Sequence, residues 1–209
     1  VAISGDTIVV GAVENDKAYV FQRIGDVWIQ QKELDEGYDG FGAAVDIDID
    51  TLVIGVDNES SSVGRAIVYE LDGANWVQVA NWSGTGDFGT AVAVDSGRVV
   101  VGAPTADTND GAVYVYTASA TGWNHQATLT ADDGVDNDGF GQSVDISGDY
   151  LITGAPGASD AAGAAYVFSR ESGSWTQTDK LALDNGEAGD RFGHSVAIDG
   201  RRAIVGAYG

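Results

Sequence analysis

A Phe-Gly dipeptide recurs along this chain at nearly constant spacing, and this internal repeat limits what the chain can fold into. It stands at Phe41, Phe88, Phe140 and Phe192, at intervals of 47, 52 and 52 residues. After each dipeptide the sequence reads as a short apolar strand, a three-residue turn and a second strand that ends in glycine. A fifth copy of the same segment begins at Val1, and the five copies align without a gap.

Two more strands complete each of the first four repeats. The third strand, at 17–21, 65–69, 111–116 and 163–168, alternates in side-chain type, as does a strand with two different faces. The fourth begins near Trp28, Trp76, Trp123 or Trp175, and glycine-containing turns join it to the third as a hairpin. Four strands in about 50 residues are typical of a β-propeller blade, which buries its faces only against neighbouring blades.

The sequence therefore predicts an all-β fold, a β-propeller of four-stranded antiparallel blades in a single domain. The repeats cover residues 1–40, 41–87, 88–139, 140–191 and 192–209, which gives four complete blades and the first two strands of a fifth. We expect the repeated Phe and Trp side chains, Trp28 and Phe140 among them, to fill the gaps between blades, because they are large and apolar.

Charge and composition exclude several classes of partner. The formal net charge is −22, from 32 acidic and 10 basic residues, and such a surface repels nucleic acid and anionic membranes. No apolar run is long enough to span a bilayer. Cysteine is absent, which excludes disulfides and thiolate metal sites. We expect no nucleic-acid partner and no membrane insertion.

Enzymatic chemistry has little support in the sequence. The two histidines, His125 and His194, stand at repeat positions where other blades carry residues such as Gln, Ala or Thr. The chain has no Gly-x-Ser-x-Gly elbow and no histidine-rich metal spacing. Aspartates could pair for glycoside hydrolysis, but the sequence singles out no pair. The prediction is a protein that is not an enzyme, with a polysaccharide-active enzyme as an alternative.

The Phe-Gly dipeptides and the Gly-Ala-Pro segments at 102–104 and 154–156 resemble the FG-GAP repeat. This repeat builds the seven-bladed propeller of integrin α subunits and of related bacterial and archaeal surface proteins, and the Trp-x-Gln strands, as at 28–30 and 175–177, resemble the bacterial branch. Seven blades need about 350 residues. The resemblance therefore implies a fragment of a longer propeller, or a ring completed by a partner chain, in a secreted or cell-surface protein.

The resemblance also implies a ligand-binding face. In this family the loops between the second and third strands lie on the same face as the loops before Phe-Gly, and that face binds ligands in integrins. Variable polar loops on a rigid scaffold often carry recognition. Trp82 stands outside the tryptophan register, in a short loop at 81–84, where it can hold a sugar ring or an apolar anchor. The candidate ligand-binding residues are Asp57, Asn58, Trp82, Asp107, Asn109, Asp110 and Asp160.

Acidic clusters before Phe-Gly are candidates for a Ca²⁺ site. Integrin-type repeats often carry an Asp-rich calcium loop between the first and second strands, but here a short turn cannot supply the roughly six to eight oxygens that calcium takes. The clusters before Phe140 and Phe192 are longer, although aspartates there also fit a turn cap. The candidate Ca²⁺ ligands are Asp133, Asp136, Asp138, Asp184 and Asp190.

Three functions remain open at this point. The first is a secreted or cell-surface binding or adhesion module that recognises a glycan or a protein through one propeller face, with or without calcium. The second is a structural repeat element of a larger extracellular assembly or filament, because unpaired strand edges recruit partners. The third is the polysaccharide-active enzyme.

Overall fold

The computed structural model describes residues 1–57, 63–106 and 110–209, and within them the fold is all-β. Helical structure in these residues includes short turns at Val13–Asn15 and Ala158–Ala161. None of the helices in this part of the chain has the length and apolar character needed to cross a bilayer. The predicted fold class is confirmed.

The strands form four sheets of four strands and one sheet of two, each antiparallel and in sequence order. Blade 1 contains β1 Ala2–Ser4, β2 Thr7–Ala12, β3 Lys17–Ile24 and β4 Val27–Leu34. Blade 2 contains β5 Phe41–Asp48, β6 Thr51–Val56, β7 Val63–Asp72 and β8 Asn75–Thr85. Blade 3 contains β9 Ala91–Asp95, β10 Arg98–Ala103, β11 Ala112–Ser119 and β12 Gly122–Leu129. Blade 4 contains β13 Ser143–Ser147, β14 Tyr150–Ala155, β15 Ala164–Glu171 and β16 Ser174–Leu181, and partial blade 5 contains β17 Ser195–Asp199 and β18 Arg202–Gly206.

The first two strands of each blade are joined by a two-residue turn, shorter than the three-residue turn predicted. In blade 1, β1 ends at Ser4 and β2 begins at Thr7, with Gly5 at φ 56°. Ile49 takes the same left-handed conformation in blade 2, at φ 51°. Such a conformation is strained for a β-branched residue, so the tight hairpin imposes it.

A β-bulge recurs at the same place in all four complete blades, between the third and fourth strands. The strand register shifts at Val20/Phe21, Val68/Tyr69, Val115/Tyr116 and Val167/Phe168. A bulge bends its strand and increases the local twist. In each blade the bulge thus bends the pair formed by the third and fourth strands, directly before an aromatic residue of the third strand.

The hydrophobic core lies between neighbouring blades. The Phe-Gly phenylalanines Phe41, Phe88 and Phe140 are at most 1% exposed, and each lies in a cluster that joins two successive blades. The ring of Phe140 lies 5.5 Å from that of Tyr166 and 5.9 Å from that of Phe168, centroid to centroid. This confirms that these phenylalanines fill the gaps between blades.

The repeated tryptophans are buried only where a preceding blade covers them. Trp76 is 7% exposed, whereas Trp28 is 38% exposed on a face of blade 1 that no blade covers in this structure. Trp123 and Trp175 are half-buried, and their indole N–H groups donate to the preceding blade. The prediction that Trp28 lies in the core was therefore wrong, because its burial depends on a neighbouring blade.

The glycines of the two halves of the repeated motif meet between neighbouring blades. A Cβ on Gly102 would overlap the carbonyl oxygen of Gly141, and one on Gly154 would overlap that of Gly193. A Cβ on Gly11 or Gly55 would likewise overlap the carbonyl oxygen of the Phe-Gly glycine in the next blade. These positions carry glycine because the backbones of two blades touch there, which leaves no room for a side chain.

The first strands lie side by side at the centre and are joined by side-chain-to-backbone hydrogen bonds. In the four complete blades, the last residue of the first strand accepts a bond from a turn amide of the next blade. The Oγ of Ser4 accepts from the N–H of Ile49 at 2.9 Å. The equivalent acceptor–donor pairs are Asp48–Ser96 at 2.9 Å, Asp95–Gly148 at 2.8 Å and Ser147–Gly200 at 3.1 Å. This series fixes each blade relative to the next.

Candidate ligand-binding face

The loops after the second strands and the loops before Phe-Gly lie on one side of the propeller, where they are hydrogen-bonded to each other. Asp16 Oδ1 accepts from the N–H of Gly40 at 2.7 Å. The N–H of Gly157 donates to the carbonyl oxygen of Asp138 at 2.9 Å. We name this side the loop face, and its described segments are 13–16, 35–40, 57, 86–87, 104–106, 110–111, 130–139, 156–163 and 182–191. This arrangement agrees with the placement that the resemblance implied.

Part of the predicted ligand-binding set can be placed on this face. Asp57 is half-buried, and its carbonyl oxygen lies so close to Gly40 that a Cβ there would overlap it. The carbonyl oxygen of Asp110 accepts from the N–H of Phe140 at 3.0 Å. The backbones of both aspartates thus lie in contact with neighbouring loops. The predicted residues Asn58, Asp107 and Asn109 lie outside the described residues.

Asp160 is exposed on the loop face, within a turn of unusual backbone. Ser159, Asp160 and Ala161 have φ values of 54°, 58° and 66°, in the left-handed region. The carbonyl oxygen of Ala161 accepts from the N–H groups of Gly189 and Arg191, at 2.9 and 3.0 Å. The turn is therefore held against the loop that leads into blade 5.

Trp82 lies in strand β8, packed between blades 2 and 3. Its ring stacks on that of Tyr116, with centroids 3.7 Å apart and planes 8° apart, and it meets Trp123 edge-on at 6.2 Å. It follows Trp76 by six residues, and Leu34, Leu129 and Leu181 follow the tryptophans of the other blades by the same six. The prediction that Trp82 stands in a loop outside the repeat register was wrong. This spacing in the sequence could have shown it.

The predicted Ca²⁺ ligands do not converge on one point. Among the residues that the structure describes, no group of three or more His, Cys, Asp or Glu side chains could hold a metal ion. Asp133 pairs with Lys180 at 2.6 Å, and this contact lowers the pKa of Asp133. Asp136 and Asp184 are exposed.

The other two predicted Ca²⁺ ligands are used within their own loops. Asp138 Oδ2 accepts from the N–H of Val135 at 3.1 Å, and Asp190 Oδ2 accepts from the N–H of Glu187 at 2.9 Å. In each loop, the aspartate that stands two residues before Phe accepts a hydrogen bond from the backbone N–H of the residue three positions earlier. This is the turn-cap role that the sequence left open.

Sequence reasoning missed a central cavity of about 320 Å³ at the loop-face end of the first strands. Its lining includes Ala43, Thr90 and Gln142, the residues that directly follow Phe-Gly in blades 2, 3 and 4. His194 holds the same position in partial blade 5. The signal was present in the sequence, because the residue that directly follows the constant Phe-Gly dipeptide differs in each of these blades.

A second cavity of about 300 Å³, which we name the blade 4–5 cavity, lies between blade 4 and partial blade 5. Its lining is Gln142, Pro156, Gly157, Ala161, Arg191, His194 and Tyr208. Arg191 Nη1 donates to the hydroxyl of Tyr208, and the rings of His194 and Tyr208 lie 4.3 Å apart. Gln142 lines both cavities, so they are neighbours on the loop face.

Two first-strand carboxyls, of Asp46 and Asp145, have raised pKa values, but their contacts indicate a structural role. Burial raises the pKa of Asp46 to about 6, and bonds from the N–H groups of Val94 and Ile47 oppose the rise. Burial likewise raises the pKa of Asp145, which accepts from the N–H of Ile198 at 2.6 Å. Both carboxyls thus bond the first strand of the next blade.

We expect the free energy of unfolding of the Asp46→Asn variant to depend less on pH than that of the native chain. Asp46 has a pKa of about 6 in the folded chain, against an ordinary 3.8, so the folded state binds its proton more tightly. Stability from this group is therefore present at low pH and is lost as pH rises to about 6, by roughly 2–3 kcal/mol in all. Urea unfolding of native and variant chains at several pH values between 4 and 7 measures this loss.

The matched control for this experiment is Asp50→Asn, which changes an exposed aspartate of the same hairpin. It should keep the native dependence on pH. If the Asp46→Asn variant lost as much stability as the native chain when the pH was raised over this range, the raised pKa of Asp46 would be wrong.

Comparison with known proteins supports the repeat directly. The sequence model of the FG-GAP repeat matches residues 82–116, 123–168 and 175–209, more than half of the chain. A search of curated proteins found no match. The integrin-like or bacterial branch therefore stays a prediction.

Solved structures support the fold. A chain in a crystal structure of the mitotic checkpoint complex is similar, with a TM-score of 0.66 and 16% sequence identity. The match covers 99% of this chain but only 59% of that one. Since the identity is low, this likeness shows the fold alone. Sheets, motif and comparisons agree that this chain is built of β-propeller blades and belongs to the FG-GAP repeat family.

Proposed function

We propose that this chain is a non-enzymatic binding module of a secreted or cell-surface protein, which recognises a glycan through its loop face. One observation carries the proposal: the variable residues after Phe-Gly gather around two adjoining cavities on that face. They are Ala43, Thr90, Gln142 and His194. FG-GAP repeats often occur in extracellular or adhesion proteins, which supports the proposed location.

The scaffold suits this role because the blades are fixed while the residues at the cavities vary. Glycine contacts and first-strand hydrogen bonds hold each blade to the next. Recognition commonly uses variable positions on such a rigid frame. Each cavity has a volume near 300 Å³, at the lower end of the roughly 300–1,000 Å³ of ligand pockets.

The contacts of two buried carboxyls and of His125 support structural roles for these groups, and of the two histidines only His194 lines one of the cavities described above. The buried carboxyls of Asp46 and Asp145 accept bonds from backbone amides. His125 Nε2 lies 3.0 Å from Thr128 Oγ1, away from the cavity linings described above. Catalysis by acid and base needs groups that face the substrate.

A glycan array, probed once with calcium and once with EDTA, tests the proposal. We expect binding under both conditions, since the described residues hold no metal cluster. Gln142→Ala should weaken the binding of an array ligand by about tenfold, the loss of one or two hydrogen bonds. The control is Gln78→Ala, which changes an exposed glutamine on β8.

Two results would overturn the proposal. If Gln142→Ala bound the array ligand as well as Gln78→Ala does, the ligand would not lie on the loop face. If the chain hydrolysed the ligand, it would be the polysaccharide-active enzyme. If the chain instead bound a protein, and Gln142→Ala weakened that binding, the loop face would remain the binding site and the ligand would be a protein rather than a glycan.

A second candidate, an element of a larger assembly, has separate support at the two ends of the blade series. A groove of about 630 Å³ between blade 4 and partial blade 5 is lined by Val167, Leu181 and other residues. Elsewhere in the chain the next blade's third and fourth strands cover this surface, and the opposite end of the blade series, on blade 1, exposes Trp28. The partner would be blade 1 of a second copy. Light scattering that gives twice the mass of the chain would support it, and a single-chain mass would contradict it.

A further inference from the structure

We infer that the blade 4–5 cavity binds the carboxylate of an acidic saccharide, a uronic acid unit. This inference rests on the proposed function, since it names the ligand class for one part of the loop face. Four features of the cavity support it: its charge, its differences from blade 4, its backbone and its shape.

The cavity has a basic lining in a strongly acidic chain, so local contacts can hold here an anionic group that the rest of the surface repels. Arg191 and His194 line it, and no Asp or Glu does, although the chain has 32 acidic residues. Within the described parts of the chain, Arg191 forms no ion pair, whereas Arg98, Arg170 and Lys180 do. Its guanidinium carbon lies 5.4 Å from the centre of the Tyr208 ring. A guanidinium in that position offers the planar fork that binds a carboxylate through two N–H groups.

Three residues that differ from their blade 4 counterparts meet at this cavity. Arg191 stands where blade 4 has Gly139, His194 where it has Gln142, and Tyr208 where it has Pro156. Arg191 and His194 flank the same Phe-Gly, Tyr208 follows the second strand, and all three line the cavity. They give the cavity a guanidinium, an imidazole and a phenol that blade 4 lacks at these positions.

The backbone of Arg191 is in a strained conformation. Its φ is 52°, a left-handed conformation that Gly40 and Gly139 take at the same repeat position. Asp87 shares this conformation in blade 3, where its Oδ2 accepts from the hydroxyl of Thr105 at 2.7 Å, as Arg191 Nη1 donates to the hydroxyl of Tyr208 in partial blade 5. The facing wall has its own left-handed residue, Ala161 at φ 66°. Strained residues of this kind cluster at ligand-binding sites.

The shape and the remaining side chains fit a sugar ring. Tyr208 is 56% exposed, so part of this side chain is open to a ligand next to Arg191 and His194. The amide of Gln142 both donates and accepts, as sugar hydroxyls require. The volume of about 300 Å³ suits one or two sugar rings better than a folded partner.

Calorimetric titration with a galacturonic acid hexasaccharide tests the inference, with a neutral galactose hexasaccharide as the comparison. Arg191→Gly restores the residue of blades 2 and 4. We expect it to weaken binding of the acidic oligosaccharide by about 10- to 100-fold, the loss of a hydrogen-bonded charge. Its melting temperature should equal or exceed that of the native chain, because glycine relieves the left-handed backbone.

The matched control is Arg202→Gln, which removes one positive charge from an exposed position of the same partial blade, outside the cavity. It should change the affinity by less than about twofold, as expected for an exposed charge. An equal loss in both variants would mean general charge attraction and would overturn the inference. Equal binding of the neutral and acidic oligosaccharides would overturn it as well.

Failure of this inference differs from failure of the proposed function. If an array ligand binds Arg191→Gly as tightly as the native chain but depends on Gln142, the binding module stands and the carboxylate site is wrong. If no ligand depends on Gln142 or Arg191, both proposals are wrong.

Discussion

Replacing Gly102 by alanine is expected to destabilise the protein by about 3 kcal/mol, the upper range for a side chain forced into a packed core. The new Cβ would overlap the carbonyl oxygen of Gly141, a backbone atom of the next blade that cannot turn aside. Relief requires the two blades to separate. The free energy of unfolding in guanidinium chloride measures the loss.

Gly148→Ala is the matched control for Gly102→Ala. Gly148 has a left-handed φ of 57°, but a Cβ there would have no atom within 4 Å. Its substitution therefore adds only backbone strain, about 1 kcal/mol. If Gly102→Ala cost no more than Gly148→Ala, the glycine contact between blades would not be a constraint on the motif.

Trp76→Ala should cost about 3–5 kcal/mol, as truncation of a large buried aromatic does. Trp76 is 7% exposed and packs in the cluster between blades 1 and 2, with Phe41, Leu52 and Tyr69. Its removal leaves a cavity that the rigid blades cannot close. The measurement is again the free energy of unfolding.

Trp28→Ala is the internal control for Trp76→Ala, because it changes the same residue at the same repeat position. Trp28 is 38% exposed, so we expect a loss of about 1–2 kcal/mol, the transfer cost of its covered part. Equal losses would mean that the neighbouring blade does not contribute to the burial of this position.

Much of the fold could be predicted because it is encoded in short stretches of sequence. Strand alternation, glycine turns and the Phe-Gly spacing defined four complete blades and two further strands, and the structure has these. The position of Trp82 was also encoded, in its six-residue distance from Trp76. That error came from comparing tryptophan with tryptophan, when the repeat needs only a large apolar residue there.

The repeat and the strands follow from local sequence, because each hairpin forms between residues close together in the chain. The contacts between blades follow from the tertiary fold alone, because facing positions are about one repeat, or roughly 50 residues, apart. It showed that the glycines of Phe-Gly and Gly-Ala-Pro touch, and that Trp28 is exposed where Trp76 is buried. It also joined Gln142, Arg191 and Tyr208 in one cavity. Which side chains meet there depends on how two blades pack, and no single repeat contains that information.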